Sequence, residues 1–344
     1  MRLRPGLRVL RRSSTEVQVG TDPRWAVRLT DLTPAEADAV VGLGDPARTS
    51  PSPGTSSASP AGRADLAPVS ALLSQARLTR AGDTRQLDGP AAADAAAWSL
   101  LLPDGDGTGL VRARSTRTAG VVGLGPTGLG VAVALAAAGV GRVLLDDERP
   151  VRSNDVGVGG YRWGDVGSRR GVVAARVLRD AAPRVDVDGR ATPDVVVVVE
   201  HGAADPARAT LLVGSGVPHL SVVVREGDTL VGPLVDPGRG PCLRCLDLHR
   251  TDVDPVWPTL VAQLVTAPGR ADGPEVGVVA GVAASLAAAW ALTLLDGTAG
   301  PTTPGTTYEL GLPDALPRVR EWAVHPDCGC TALPVVGRVP VPTT

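Results

Sequence analysis

All four cysteines of the chain fall in two short pairs, Cys242-Leu-Arg-Cys245 and Cys328-Gly-Cys330. Thiolates two or three positions apart on a turn can hold one metal ion. Two such turns complete the tetrahedral sulfur site that zinc favours. The second pair is tightly spaced, and Gly329 relieves that strain. Disulfides are the competing reading, disfavoured in a reducing compartment. His325, three residues before Cys328, is read as a neighbour of the site and not as a ligand.

A second group is anionic-ligand chemistry. Gly123-x-Gly125-x-x-Gly128 falls where a strand should turn into a helix. Glycines there let the backbone approach a phosphate, while the helix N-terminus offers free N–H groups and a favourable dipole. In a chain with 42 glycines the pattern alone is weak, and a tight turn without a ligand is the bland alternative. The context strengthens it. Asp146-Asp147-Glu148 closes the next strand, where carboxylates face the crevice that takes a ribose or a metal-bound phosphate. Asn154, in Ser153-Asn154, is the only asparagine in the chain.

These residues need a scaffold, and from Ala119 onward the pattern supplies one. Strands at 119–122, 142–145, 194–199 and 220–224 alternate with a helix that follows the Gly123–Gly128 loop to about 138 and with helices over 168–181 and 206–213. That alternation predicts a parallel sheet with crossover helices. Further candidates are a long helix over Val276–Leu295 and strands at 307–312 and 319–324. The N-terminal third differs. Period-two runs at 7–10, 17–20 and 26–30 predict a small strand meander. Thr33-Pro34-Ala35-Glu36 predicts a capped helix start, and a second helix is expected over 65–80, with Leu66, Val69, Leu72, Leu73 and Ala76 on one face. Between these helices, residues 44–63 are rich in Pro, Ser, Thr and Gly, as in a flexible insertion. The expected organisation is a small α+β, winged-helix-like module over 1–85, a connecting segment over 86–117 and an α/β nucleotide-binding domain over 118–344.

Composition removes other classes. A net charge of −2 argues against nucleic-acid or polybasic membrane binding. Charge is uneven, however. Arg2, Arg4, Arg8, Arg11, Arg12, Arg24 and Arg28 face only Glu16 and Asp22 in the first thirty residues, so this lobe could attract an acidic peptide or simply be solvated. There is no lysine, which excludes any mechanism that needs one. Val276–Leu295 is uncharged and long enough to span a bilayer, yet its Ala and Gly content fits a buried core helix better. Met1–Arg12 has no apolar core of a secretory signal, so a cytoplasmic location is expected.

The motifs GLGPTGLG, AAAGVGRVLLDDE, RSN and DVGSRR, within Val121–Val187, resemble the ThiF/MoeB/HesA superfamily of ubiquitin-activating-enzyme relatives. The segments PCLRCLDLHRTDVDPVWPTLVAQL and WAVHPDCGC are similar to its cyclodehydratase-partner branch, from thiazole/oxazole-modified peptide pathways. The resemblance implies a ThiF-type Rossmann-like, mostly parallel sheet, ATP with Mg2+, and structural zinc on Cys242, Cys245, Cys328 and Cys330. It also implies a homodimer, an N-terminal module that grips a precursor's leader peptide, and a YcaO-type partner enzyme.

Carried over residue by residue, the superfamily pattern is only partly kept. Gly123, Gly125, Gly128, Asp146, Asn154 and Asp165-Val166-Gly167 match. The ribose-binding aspartate falls on Glu148, the phosphate-contacting lysine on Arg170, and the magnesium-binding aspartate near Glu200-His201. Gly157-Val158 stands where an Arg-Gln pair is expected. No cysteine remains for a thioester, which excludes transfer through one. The expected function is therefore binding of a precursor or carrier peptide, with degenerate adenylation. The alternative is an active adenylyltransferase that charges the C-terminus of a ubiquitin-like or sulfur carrier. A dehydrogenase has no use for the cysteine pairs.

Overall fold

The computed structural model describes residues 2–44, 66–79, 87–157, 159–266, 273–298 and 303–332. Packing divides the chain into two compact units, residues 1–112 and 113–344.

In the first unit the period-two runs form β1 (Val9–Arg11), β2 (Val17–Val19) and β3 (Val27–Leu29), an antiparallel sheet in that order. Val17 and Val19, on one face of β2, are buried with Leu29, as alternation requires. Helix α1 (Pro34–Gly42) starts on a complete capping box. The Thr33 hydroxyl accepts from the Glu36 N–H, and the Glu36 carboxylate accepts from the Thr33 N–H at 2.7 Å. Helix α2 (Ala67–Gln75) buries Val69 and Leu73, but Leu72 is 52 % exposed. Val69 and Leu73 set the buried line, and Leu72 lies about 80° off it at 100° per residue. The expected insertion lies, from residue 45 on, outside the described residues.

The segment read as a connection carries two helices, α3 (Ala91–Leu101) and α4 (Gly107–Ala113). The alanine run of α3 favours helix by propensity while showing no apolar stripe, so periodicity does not reveal it. The arginine run also resolves into pairs. Arg12 and Arg28 meet Glu16, Arg24 meets Asp22, and Arg11 meets Asp38. Arg4 is buried and donates to the carbonyls of Ser99, Leu102 and Pro103, satisfying the end of α3.

The second unit holds a seven-stranded sheet. Its strands are β4 (Thr118–Val122), β5 (Arg142–Asp146), β6 (Val195–His201), β7 (His219–Val224), β8 (Asp228–Val235), β9 (Thr306–Gly311) and β10 (Pro317–Glu321), in spatial order β10-β9-β8-β7-β6-β4-β5. The pairs β5–β4, β4–β6 and β6–β7 are parallel, and those among β7, β8, β9 and β10 are antiparallel. Parallel pairs need crossovers. Helices α5 (Pro126–Ala137), α6 (Arg170–Ala181) and α7 (Pro206–Gly214) provide them. Strand β8, which runs through Gly232-Pro233, was not expected. It begins the antiparallel half after a short turn from β7.

Helices α8 (Leu243–Val253) and α9 (Trp257–Thr266) then lead to α10 (Gly277–Asp296). By length and composition α10 could cross a membrane, but half of it is buried. Val279, Ala283, Ala284, Ala287 and Ala288 join the main core with α5 and the sheet, as a core helix should. At its end Asp296 forms a bidentate ion pair with Arg114 at 2.8 and 2.9 Å, both side chains 1 % exposed.

Candidate functional site

The two cysteine pairs meet. Cys242 stands just before α8 and Cys245 lies in its first turn, while Cys328 caps a 3-10 turn at Gly329–Thr331 that contains Cys330. All four are buried. Their sulfurs lie within 4.8 Å of one another, with Cys242–Cys328 at 3.7 Å and Cys245–Cys330 at 3.5 Å. A disulfide needs about 2.05 Å. A tetrahedron with zinc–sulfur bonds of about 2.3 Å puts sulfurs about 3.8 Å apart. The spacing therefore fits four thiolates around one ion, and a soft all-sulfur donor set suits zinc or iron–sulfur chemistry. Burial pushes the Cys242 thiol up to about 11 and raises Cys330 as well.

His249, Asp252 and His325 gather nearby. The ring of His325 is already engaged. Its Nδ1 accepts from the Asp327 N–H at 3.1 Å, so Nε2 carries the proton and donates to Asp252 at 2.9 Å. That tautomer leaves Nε2 no lone pair for a metal, in line with His325 as a neighbour of the thiols.

The glycine loop between β4 and α5 has the expected backbone. Gly123 has φ +80°, and a Cβ there would stand 2.2 Å from the Val199 carbonyl oxygen; one at Gly128 would meet the Gly123 oxygen at 1.8 Å. Both positions admit only glycine. What the loop's donors face is unexpected. The Leu124 N–H donates to Asp147 at 2.8 Å, and the Thr127 N–H donates to Glu275 at 2.8 Å. Two carboxylates of the chain itself thus take amides of an anion-binding loop. The sequence marks Asp147 only as one of the Asp146-Asp147-Glu148 run and gives no role to Glu275. Within the run nothing local distinguishes Asp147 from its neighbours, and Glu275 is remote in sequence with no motif to mark it.

Behind the loop lies a charge network centred on the buried Asp147, Asp155 and Arg170. Asp147 binds Arg149 and also Arg170, which reaches Asp155 at 2.7 Å. The Arg170 side chain is 1 % exposed. Burial alone would raise the Asp147 carboxyl. Hydrogen bonds from Arg149, from the Leu124 N–H and from the Arg149 N–H outweigh burial and hold it well below the usual carboxylate range. Tyr161, also buried, donates to the Leu124 carbonyl at 2.7 Å.

A cavity of about 700 Å³ opens beside the loop, lined in part by Gly123, Asp146, Glu200 and His201. Of the residues read as nucleotide-binding, it takes in Gly123 and Asp146 but not Gly125, Gly128, Glu148, Asn154 or Arg170. Glu148 is exposed and pairs with Arg169, and Asn154 is exposed on a 3-10 turn. Residue 158, in the expected Arg-Gln position, lies outside the described residues. The cavity's arginines are paired. Arg149 meets Asp147, Arg208 meets Glu200 at 2.8 Å, and Arg225 meets Asp228 at 2.5 Å. Burial raises the Glu200 carboxyl, while Arg208 pulls the other way.

The sequence matches the ThiF family over residues 99–332. The chain belongs to the ThiF family. Its fold is similar to crystal structures of E. coli MccB. The form with succinimide gives a TM-score of 0.64 at 16 % identity, covering 96 % of this chain and 98 % of that one. The form with ATP gives 0.63 at 16 %, covering 96 % and 99 %. PaaA gives 0.64 at 15 %, covering 92 % and 99 %. At these identities the likeness is one of fold. No curated protein sequence matches significantly. As a ThiF-family chain, this one retains the loop backbone and meets its donors with internal acids.

Proposed function

We propose that this chain is a peptide-binding ThiF-family protein of a precursor-modifying system, with a nucleotide pocket too weakened for efficient adenylation. One observation carries the reading: Arg170, the cation at the lysine position, is spent on Asp147 and Asp155 inside the protein. Activating a carboxylate with ATP requires positioned cations that neutralise phosphate charge. Cations already paired and buried cannot move to phosphate without leaving carboxylates uncompensated. A nucleotide bound beside Gly123 and Asp146 would supply the adenylyl group. The chain's own residues give it a turn, a helix end and few uncommitted charges.

The similar structures support the peptide half of the proposal. MccB has been crystallised with MccA and AMPCPP, and with MccA alone. By analogy, the proposed partner here is a precursor or carrier peptide. The antiparallel sheet β1-β2-β3 would take it as an added strand. We place zinc on Cys242, Cys245, Cys328 and Cys330 as a closed structural site, and we propose a cytosolic homodimer that works with a YcaO-type enzyme. The second reading, an active adenylyltransferase, draws on the retained cavity of about 700 Å³.

The test uses peptides encoded beside the gene, titrated against the full-length protein by fluorescence anisotropy at two salt concentrations. The proposal expects saturable binding of one peptide. Absence of binding by every neighbouring peptide contradicts it. Because the N-terminal arginines are largely paired internally, salt should weaken binding only mildly.

A further inference from the structure

We propose that Glu275 is a tethered anion that occupies the phosphate position at the N-terminus of α5 and competes with nucleotide for it. The inference rests on reading the glycine loop as the nucleotide pocket, and it names how that pocket is regulated.

The geometry is specific. Pro126 opens α5 and has no N–H, so Thr127 offers the first helical amide. The Glu275 carboxylate takes it, with Oε2 accepting from the Thr127 N–H at 2.8 Å and from the Thr127 hydroxyl at 2.5 Å. Its other oxygen, Oε1, lies 3.3 Å from His201 Nε2. That same oxygen presses on the bare backbone at Gly125, where a Cβ would stand only 2.1 Å away. The Glu275 side chain is 3 % exposed. A helix N-terminus and a hydroxyl thus hold a carboxylate that is part of the chain, with an imidazole beside it. Gly273 and Pro274, just before Glu275, line the cavity beside Gly123, so the acid stands at the edge of the space a nucleotide would enter.

A helix N-terminus attracts phosphate for the same reason it attracts this carboxylate. The two cannot share one amide and one dipole. Nucleotide binds only in the fraction of molecules whose Glu275 has withdrawn, and its apparent affinity falls by that fraction. A purely structural staple between α5 and the start of α10 would behave differently. Removing it would loosen the protein without improving affinity for anions.

The test compares full-length protein with Glu275→Gln and Glu275→Ala, titrating MgATP and inorganic pyrophosphate separately by calorimetry, with thermal melts on each. Glu275→Gln keeps the size and one acceptor, so it carries the test should Glu275→Ala not fold. Both variants are expected to bind MgATP and pyrophosphate about tenfold or more tightly than the parent. Should Glu275→Gln gain pyrophosphate affinity but not MgATP affinity, the tethered anion stands and the nucleotide reading falls. Should the parent bind MgATP and neither variant gain, the nucleotide reading stands and this inference is overturned. Absence of any binding to folded Glu275→Gln also overturns it.

Discussion

The cysteine cluster and the glycine loop are both ligand-binding motifs legible in the sequence, yet they are in opposite states. The four thiols converge at the spacing of a metal tetrahedron, and among the described residues no side chain takes the place of the ion. The glycine loop has its turn and close packing, but Asp147 and Glu275 meet the Leu124 and Thr127 amides that should meet a phosphate. A motif reports which backbone can form. Whether its donors are available depends on residues outside it.

The comparison predicts that the cysteine region depends on an added ion, and breaking that dependence should give the largest effect. Cys242→Ser or Cys328→Ser should lower the unfolding free energy by roughly 3–5 kcal/mol, since forming a metal site contributes directly to folding. Chemical denaturation with metal analysis checks this, and the wild type should carry one zinc per chain. A stoichiometric disulfide without metal would refute it. The loop region should instead depend on internal charges. Arg170→Ala leaves Asp147 and Asp155 buried without their shared partner and should cost about 3 kcal/mol, with metal content unchanged. Equal stability of the variant would show that the network does not hold the loop.

A milder perturbation is acid. Because the folded Asp147 carboxyl is held below its unfolded value, its contribution is complete above about pH 4 and drains away as pH falls further. Denaturation midpoints from pH 6 to pH 3 should fall, and Asp147→Asn should flatten that slope. The smallest effect belongs to neither region. Thr33→Ala removes the capping box of α1 and should cost about 1 kcal/mol, leaving metal content and anion affinity untouched.

Much of this was readable in advance, for identifiable reasons. Alternating apolar runs and glycine punctuation marked β4 through β7 and their crossovers, because both signals are local. The capping box of α1 is a four-residue pattern and formed as written. Helix α3 escaped because alanine is helical by propensity alone, and β8 because Gly232-Pro233 interrupts its alternation. The site divides along the same line. Cysteines are rare enough that composition picks them out, whereas Glu275 meets Thr127 across 148 positions of sequence, and no local pattern encodes that contact. Arg170 was found by its position, but its partners Asp147 and Asp155 are set by the tertiary fold.

The most direct measurement is ATP–pyrophosphate exchange by metal-loaded, full-length protein in the presence of each peptide encoded beside its gene. With Arg170 buried and the loop amides held by internal carboxylates, exchange should not rise above the rate without protein. Rapid exchange with any one peptide would contradict the account and identify the chain as an active adenylyltransferase.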